Sequence, residues 1–176
     1  MFTLGPMWMH DSDGHAWLEW AAAERYERVS ADRWLTKLRT YVTVRPCRLL
    51  DLTAVQHAGS AGAHSSAGLC TVPIRQIRGS EGRCHDFDAD FRPLQARTRD
   101  RWVSIAIAWQ RGIILPPVEL IQIGDTYFVR DGHHRISVAK AMGQPDIEAV
   151  VTVWQVESAM PLQQPMVSPS VQPAVS

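Results

Sequence analysis

Five consecutive residues, Asp131-Gly132-His133-His134-Arg135, stand where a strand through Val129 gives way to a helix from Gly132 to Met142. Gly132 removes the Cβ at the turn, so the backbone can bend sharply and a ligand can approach it. Asp131 is placed to cap the helix. The first N–H groups of any helix lack intrahelical acceptors and lie at the positive end of its dipole. His133, His134 and Arg135 add side-chain donors at the same point: arginine grips two phosphate oxygens at once, and a histidine offers a hydrogen bond or, protonated, a charge. These are the components of a phosphate or carboxylate site. The plainer reading is that Asp131 only caps, Arg135 pairs with a carboxylate, and both histidines are surface residues.

Metal chemistry has weaker support. His85, Asp86, Asp88, His133 and His134 are potential ligands and Cys84 is adjacent. Neighbouring histidines on a helix point about 100° apart, and no HxxxH spacing occurs. No permanent metal is expected, although Mg2+ arriving with a nucleotide would find oxygen ligands.

The elements that must position this turn follow from periodicity. Arg92 to Gly112 contains a helix with Trp102, Ile105, Ala106 and Trp109 on one face and Gly112 at its stop. Val118–Ile123 and Tyr127–Val129 flank Gly124-Asp125 and form a β-hairpin. Gly143 closes the helix that follows, and Ile147–Trp154 is the last strand. Upstream, Cys70–Ile77 alternates like a half-buried strand. Residues 1–52 form a helical extension: one helix carries Trp17, Leu18, Ala21 and Tyr26, and Ser30 caps a second with Trp34, Leu35 and Leu38, making a hairpin. Val42–Leu52 holds short strands around Pro46. Residues 53–68, mixed from Ala, Gly, Ser and His, read as a flexible linker. Residues 155–176, rich in Pro and Gln, read as a disordered tail. The fold class is α/β (α+β), a small mixed sheet with flanking helices over residues 69–154.

The 176 residues, 45% apolar, suffice for one packed domain. Eighteen basic and 18 acidic residues give a formal net charge of +0, so no global attraction to nucleic acid or anionic lipid exists. Cys47, Cys70 and Cys84 form no CxxC pair and suit reduced thiols. No stretch approaches the ~20 apolar residues needed to span a bilayer, and no secretory signal is evident, so a cytoplasmic protein is expected. Oligomeric state is not readable.

The run from Leu115-Pro116-Pro117-Val118 through the hairpin, Asp131-Gly132-His133-His134-Arg135, Ala139, Gly143 and Ile147-Glu148-Ala149-Val150 resembles the N-terminal domain of the ParB/sulfiredoxin superfamily. The resemblance covers about half the chain and includes the superfamily's G-x-x-R helix start, here Gly132 and Arg135. It implies a ParB/sulfiredoxin-like fold and nucleotide phosphates (ATP, ADP or CTP) or another phosphorylated ligand at that turn. In members resembling free-serine kinases, a glutamate shortly after the first strand is the general base. Glu81 matches it by position, and Arg83 adds a phosphate contact. The implied roles are therefore Glu81 and His134 in catalysis, and Asp131, Gly132, His133, His134, Arg135 and Arg83 in phosphate binding. The implied activity is that of a kinase-like phosphotransferase or phosphoester hydrolase. His133 stands where sulfiredoxins carry their nucleophilic cysteine, which argues against sulfinic-acid reduction. The second ParB nucleotide motif and a helix-turn-helix domain have no counterpart. The alternative is a non-catalytic, partition-related DNA-associated module or a metal-dependent nuclease. A third reading makes the Trp17–Leu38 hairpin a docking surface.

Overall fold

A computed structural model of the chain describes residues 11–31, 48–58 and 60–157. The architecture is mixed α/β. Helix α1 (Asp11–Ala31) precedes strand β1 (Leu50–Asp51), helix α2 (Leu52–Ala58), strand β2 (Ser60–Pro73) and strand β3 (Ile77–Ser80). Helix α3 (Arg99–Gln110), strands β4 (Val118–Ile123) and β5 (Thr126–Asp131), helix α4 (His133–Ala141) and strand β6 (Asp146–Glu157) complete it. The six strands form one mixed sheet in the order β1-β3-β5-β4-β6-β2. β4 and β5 are the expected antiparallel hairpin, with Gln122 opposite Tyr127 and Ile123 opposite Thr126. β3 runs parallel to β5, and β4 parallel to β6.

Side chains alternate across the sheet and so build two cores. Leu120 and Val129 lie in the larger one with Val72, Ile77, Val118, Val151 and α4's Ile136. Their neighbours Ile121 and Phe128 turn to the opposite face, where they meet Trp154 and Leu52 of α2. A third cluster binds the helices together: Ala22 and Tyr26 of α1, Trp102 and Ala106 of α3, and Val138 of α4. Trp102 is fully buried, and its Nε1 donates to Ser137 Oγ at 2.9 Å, satisfying the one polar atom it takes out of water. Tyr26 packs edge-on against the Trp102 ring at 5.6 Å.

Several sequence expectations change. Residues 53–68 are not a flexible linker: they hold most of α2 and much of β2. β2 is an edge strand paired antiparallel with β6, a partner that supplies backbone hydrogen bonds regardless of side-chain pattern. Its small residues permit two irregularities, between Ala61 and His64 and between Ser66 and Gly68, and Gly68 takes φ +74 at the second. The expected Cys70–Ile77 strand is broken after Pro73 by a 3-10 turn over Ile74–Gln76. Ser30, expected as an N-cap, lies within α1, which continues to Ala31, and the helix it was to cap lies outside the described residues. Trp34, Leu35, Leu38 and the expected strand around Pro46 lie outside the described residues, as does the tail beyond residue 157. The part of that tail at 155–157 belongs to β6. Tyr26 packs inward as its place on the apolar stripe predicts, but Trp17 and Trp20 stay 61% and 62% exposed. No described helix is long and apolar enough to cross a membrane.

Candidate functional site

The start of α4 is set by Gly132, which takes φ +100 and ψ 19 as N-cap with no side-chain capping bond. A Cβ there would stand 2.5 Å from Val118 Cγ1, so both the left-handed backbone and the close packing on β4 exclude a side chain. The first intrahelical bond runs from Ile136 N–H to the Gly132 carbonyl at 3.0 Å. The amides of His133, His134 and Arg135 therefore precede the helical ladder and have no acceptor within it.

Asp131 does not cap this helix. Its carboxylate accepts from the Arg135 guanidinium, one helical turn on. Arg135 Nη1 also donates to the carbonyls of Pro116 and Pro117, at 2.6 and 2.8 Å. The arginine read as a phosphate ligand is thus engaged in bracing the entry of β4 against the exit of β5. These backbone carbonyls belong to the segment before β4, which has no strand pairing among the described residues. An apolar groove of about 280 Å³ beside Trp109, Ile113, Leu115 and Ile147 is also lined by Arg135.

His133 and His134 are buried, at 4% and 6% exposure, rather than set on the surface. His133 Nε2 lies 2.7 Å from Ser80 Oγ. Phe87 fills the space beside both rings, stacked on His133 at 5.8 Å and edge-on to His134 at 5.2 Å. Burial pushes both imidazoles down to about 4; Arg83 and the neighbouring histidine add to it for His133, and Arg101 and Arg83 for His134. Both are neutral at pH 7, so neither contributes the cationic form considered from sequence. His134 Nδ1 is buried without any hydrogen-bond partner.

The positive charge at this mouth comes from elsewhere. Arg83, whose amide donates to Ser80 Oγ at 3.1 Å, and Arg101 of α3 are both exposed and form no ion pair among the described residues. Asp86, whose negative charge acts on both histidines in the opposite sense, is held by Arg97 at 2.8 Å. Sequence reasoning missed Ser80, Phe87 and Arg101. Their only shared signal is three-dimensional, since they come from β3, a loop and α3. The loop is fixed by Asp88, whose Oδ1 accepts from the amides of Asp90 and Arg92 at 2.9 and 2.8 Å, and by Phe91 at φ +58. Burial raises the Asp88 carboxyl above its ordinary range, ahead of the lowering effect of those amides.

Glu81 is directed elsewhere. Its amide donates to the Val129 carbonyl at 2.9 Å, but its carboxylate meets Arg130 Nε at 3.0 Å. The Arg130 guanidinium sits 5.9 Å from the centre of the Trp154 ring, which belongs to the core on the other side of the sheet. Ser80 and Glu81, adjacent in sequence, thus diverge as successive residues at a strand end do. Among the described residues the Glu81 carboxylate is engaged by Arg130, and it makes no hydrogen bond to either histidine. Among the described residues no group of three His, Cys, Asp or Glu side chains is arranged to hold a metal ion.

No protein-family model matches the chain, and no curated protein matches it. Among solved structures, it is similar to the crystal structure of sulfiredoxin from Arabidopsis thaliana, at 18% identity and a TM-score of 0.33, over 47% of this chain and 82% of that one. A likeness of that size says nothing of ligand or activity.

Proposed function

We propose that the protein binds a nucleotide or another phosphorylated ligand at the mouth of α4. What supports this reading is the set of amides at His133 and His134 that have no acceptor within α4, together with Arg83, whose amide is tied to the Ser80 hydroxyl beside His133, and Arg101 of α3, neither of which forms an ion pair among the described residues. Oriented amides supply directional donors and a fixed partial charge, and the arginines supply net charge where the amides alone would be weak. Arg135 takes part by holding the turn in shape, Asp131 by holding Arg135, and His133 by its tie to Ser80. A Mg2+ ion would enter as the companion of a polyphosphate. The position of Glu81 favours binding without Glu81-based phosphoryl transfer.

The test is calorimetric titration of the full chain with ATP, ADP, CTP and inorganic phosphate, each with and without Mg2+. Binding by at least one of them, weakened tenfold or more in the Arg83→Ala, Arg101→Ala double variant, is the expected result. A folded protein that binds none of the four overturns the proposal.

A further inference from the structure

The two edges of the sheet differ. β1 ends one side after two residues, too short to template another strand. β2 ends the other side with 14 residues, Ser60–Pro73, and β6 is its one strand neighbour among the described residues. Along an antiparallel edge, alternate residues turn both N–H and C=O outward, a row of directional groups that only extended backbone matches throughout. From Ala63 to Ala67 every residue is exposed, so no described element lies over this stretch on either face. The strand's one ring, His64, leans back over β6, stacked on Trp154 with centroids 4.5 Å apart, and leaves the edge open. Leu69 is 64% exposed, and Val150, opposite it on the same face of the sheet, is 40% exposed.

We infer that β2 pairs antiparallel with β2 of a second copy of this chain, about a two-fold axis perpendicular to the sheet, so that the two sheets run on as one. Charge points to a second copy as the occupant. Ser60–Pro73 contains no Asp, Glu, Lys or Arg. The strand therefore lacks the charges by which edges commonly resist self-pairing, and it lacks any with which to select an oppositely charged peptide. Laid antiparallel on itself it meets only neutral and mostly small side chains, and the two-fold makes the contact self-complementary and closed. The irregularities in the β6 ladder leave two regular stretches, His64–Ser66 and Gly68–Pro73. Pro73, with no N–H to donate, marks the limit at one end. The axis keeps both Leu69–Val150 patches on one face, where the partner strand covers apolar surface that backbone bonds alone would not use.

Sedimentation equilibrium of the full chain over a dilution series is the test, with amide exchange read on the same samples. A reversible dimer is expected, with protection of alternate amides between Gly62 and Val72 that is lost as the dimer dissociates. Ser65→Lys with Ala67→Lys sets like charges on both strands at exposed positions and should weaken the dimer at least about tenfold while the protein stays folded. Ser65→Glu with Ala67→Glu should do the same alone, and mixing the two variants should restore dimers holding one copy of each. A wild-type chain that is monomeric throughout overturns the inference, as does a dimer that the lysines leave intact, or a mixture of folded variants that stays monomeric. Edge amides equally protected in monomer and dimer also overturn it, because a strand from within the same chain then covers β2. Should the charged variants fail to fold, the wild-type exchange comparison decides alone.

Discussion

His133 Nε2 and Ser80 Oγ stand 2.7 Å apart, joining residues separated by 53 positions in sequence. The bond ties the end of β3 to the first turn of α4 and lies in a fully enclosed place, with Ser80 at 0% exposure. The same hydroxyl accepts the Arg83 amide, so one oxygen fixes both the helix start and the loop that presents Arg83. The mouth of α4 therefore owes its shape to a residue that itself cannot touch a ligand.

Ser80→Ala leaves a buried imidazole nitrogen and a backbone amide without their shared partner. The expected destabilisation is about 1–3 kcal/mol, read from urea unfolding midpoints. Ligand affinity should fall along with it, because Arg83 loses its anchor. Unchanged stability would mean that water replaces the hydroxyl at no cost.

Gly132→Ala meets two obstacles, a backbone at φ +100 and a Cβ 2.5 Å from Val118 Cγ1. Either one costs of order 1–3 kcal/mol, so a loss of at least ~2 kcal/mol is expected in thermal or urea unfolding. Gly132→Ala combined with Val118→Ala should recover only a fraction of the packing part, because Val118 Cβ itself would stand 2.8 Å from the new carbon. Full recovery in that double variant would show that backbone strain is negligible.

The hairpin β4–β5, the stop of α3 at Gly112 and the helix after Gly132 were legible in the sequence because each is coded locally. Gly124-Asp125 specifies a tight turn, and Gly112 and Gly143 take φ +68 and +76 at the helix ends. β2 was illegible because an edge strand of Ala, Gly and Ser draws its order from the pairing with β6, far along the chain. The turn 131–135 was legible as a helix start, but the partners of its side chains were not. Nothing local to His133 or His134 announces that Phe87 and Ser80 will bury them, or that Pro116 and Pro117 will occupy Arg135. Alternation at the end of β3 sends Glu81 away from Ser80, yet position relative to the strand alone could not say which face each would take.

Acid should destabilise the protein well above the ordinary carboxylate range. His133 and His134 titrate near 4 when folded and near 6.5 when unfolded. Below pH 6.5 the unfolded chain takes protons that the folded one refuses, so stability falls as pH drops toward 4 and levels off beneath it. Two such groups give a slope of up to about 2.5 kcal/mol per pH unit. Asp88, with its carboxyl raised by burial, contributes the opposite sign at the acid end of that window. Urea midpoints at pH 7, 6 and 5 check this; a flat profile would show that the imidazoles are hydrated.

Glu81→Gln separates the kinase-like reading from the binding-site reading. The Glu81–Arg130 pair is partly exposed on both sides, and such pairs contribute about 0–1 kcal/mol. Stability should stay within ~1 kcal/mol, and affinity for nucleotide or phosphate should be unchanged. A phosphoryl-transfer activity that disappears in Glu81→Gln would contradict the separation of Glu81 from the histidines.

Arg135→Lys tests whether the arginine braces the turn or serves the ligand. Its guanidinium spans two carbonyls and a carboxylate at once, from Pro116, Pro117 and Asp131. A lysine keeps the charge, but its single ammonium cannot hold three acceptors in that fork. If Arg135 acts as a brace, the variant loses about 1–3 kcal/mol, and amide exchange quickens in the Pro117–Leu120 and Val129–Ile136 stretches together. Affinity for a phosphorylated ligand then falls by no more than the loosened turn accounts for, and raising ligand concentration restores the stability by mass action. If Arg135 instead grips the ligand, stability is kept while affinity collapses. The two outcomes are opposite in the pair of measurements, and the engagement of Nη1 by both proline carbonyls favours the first.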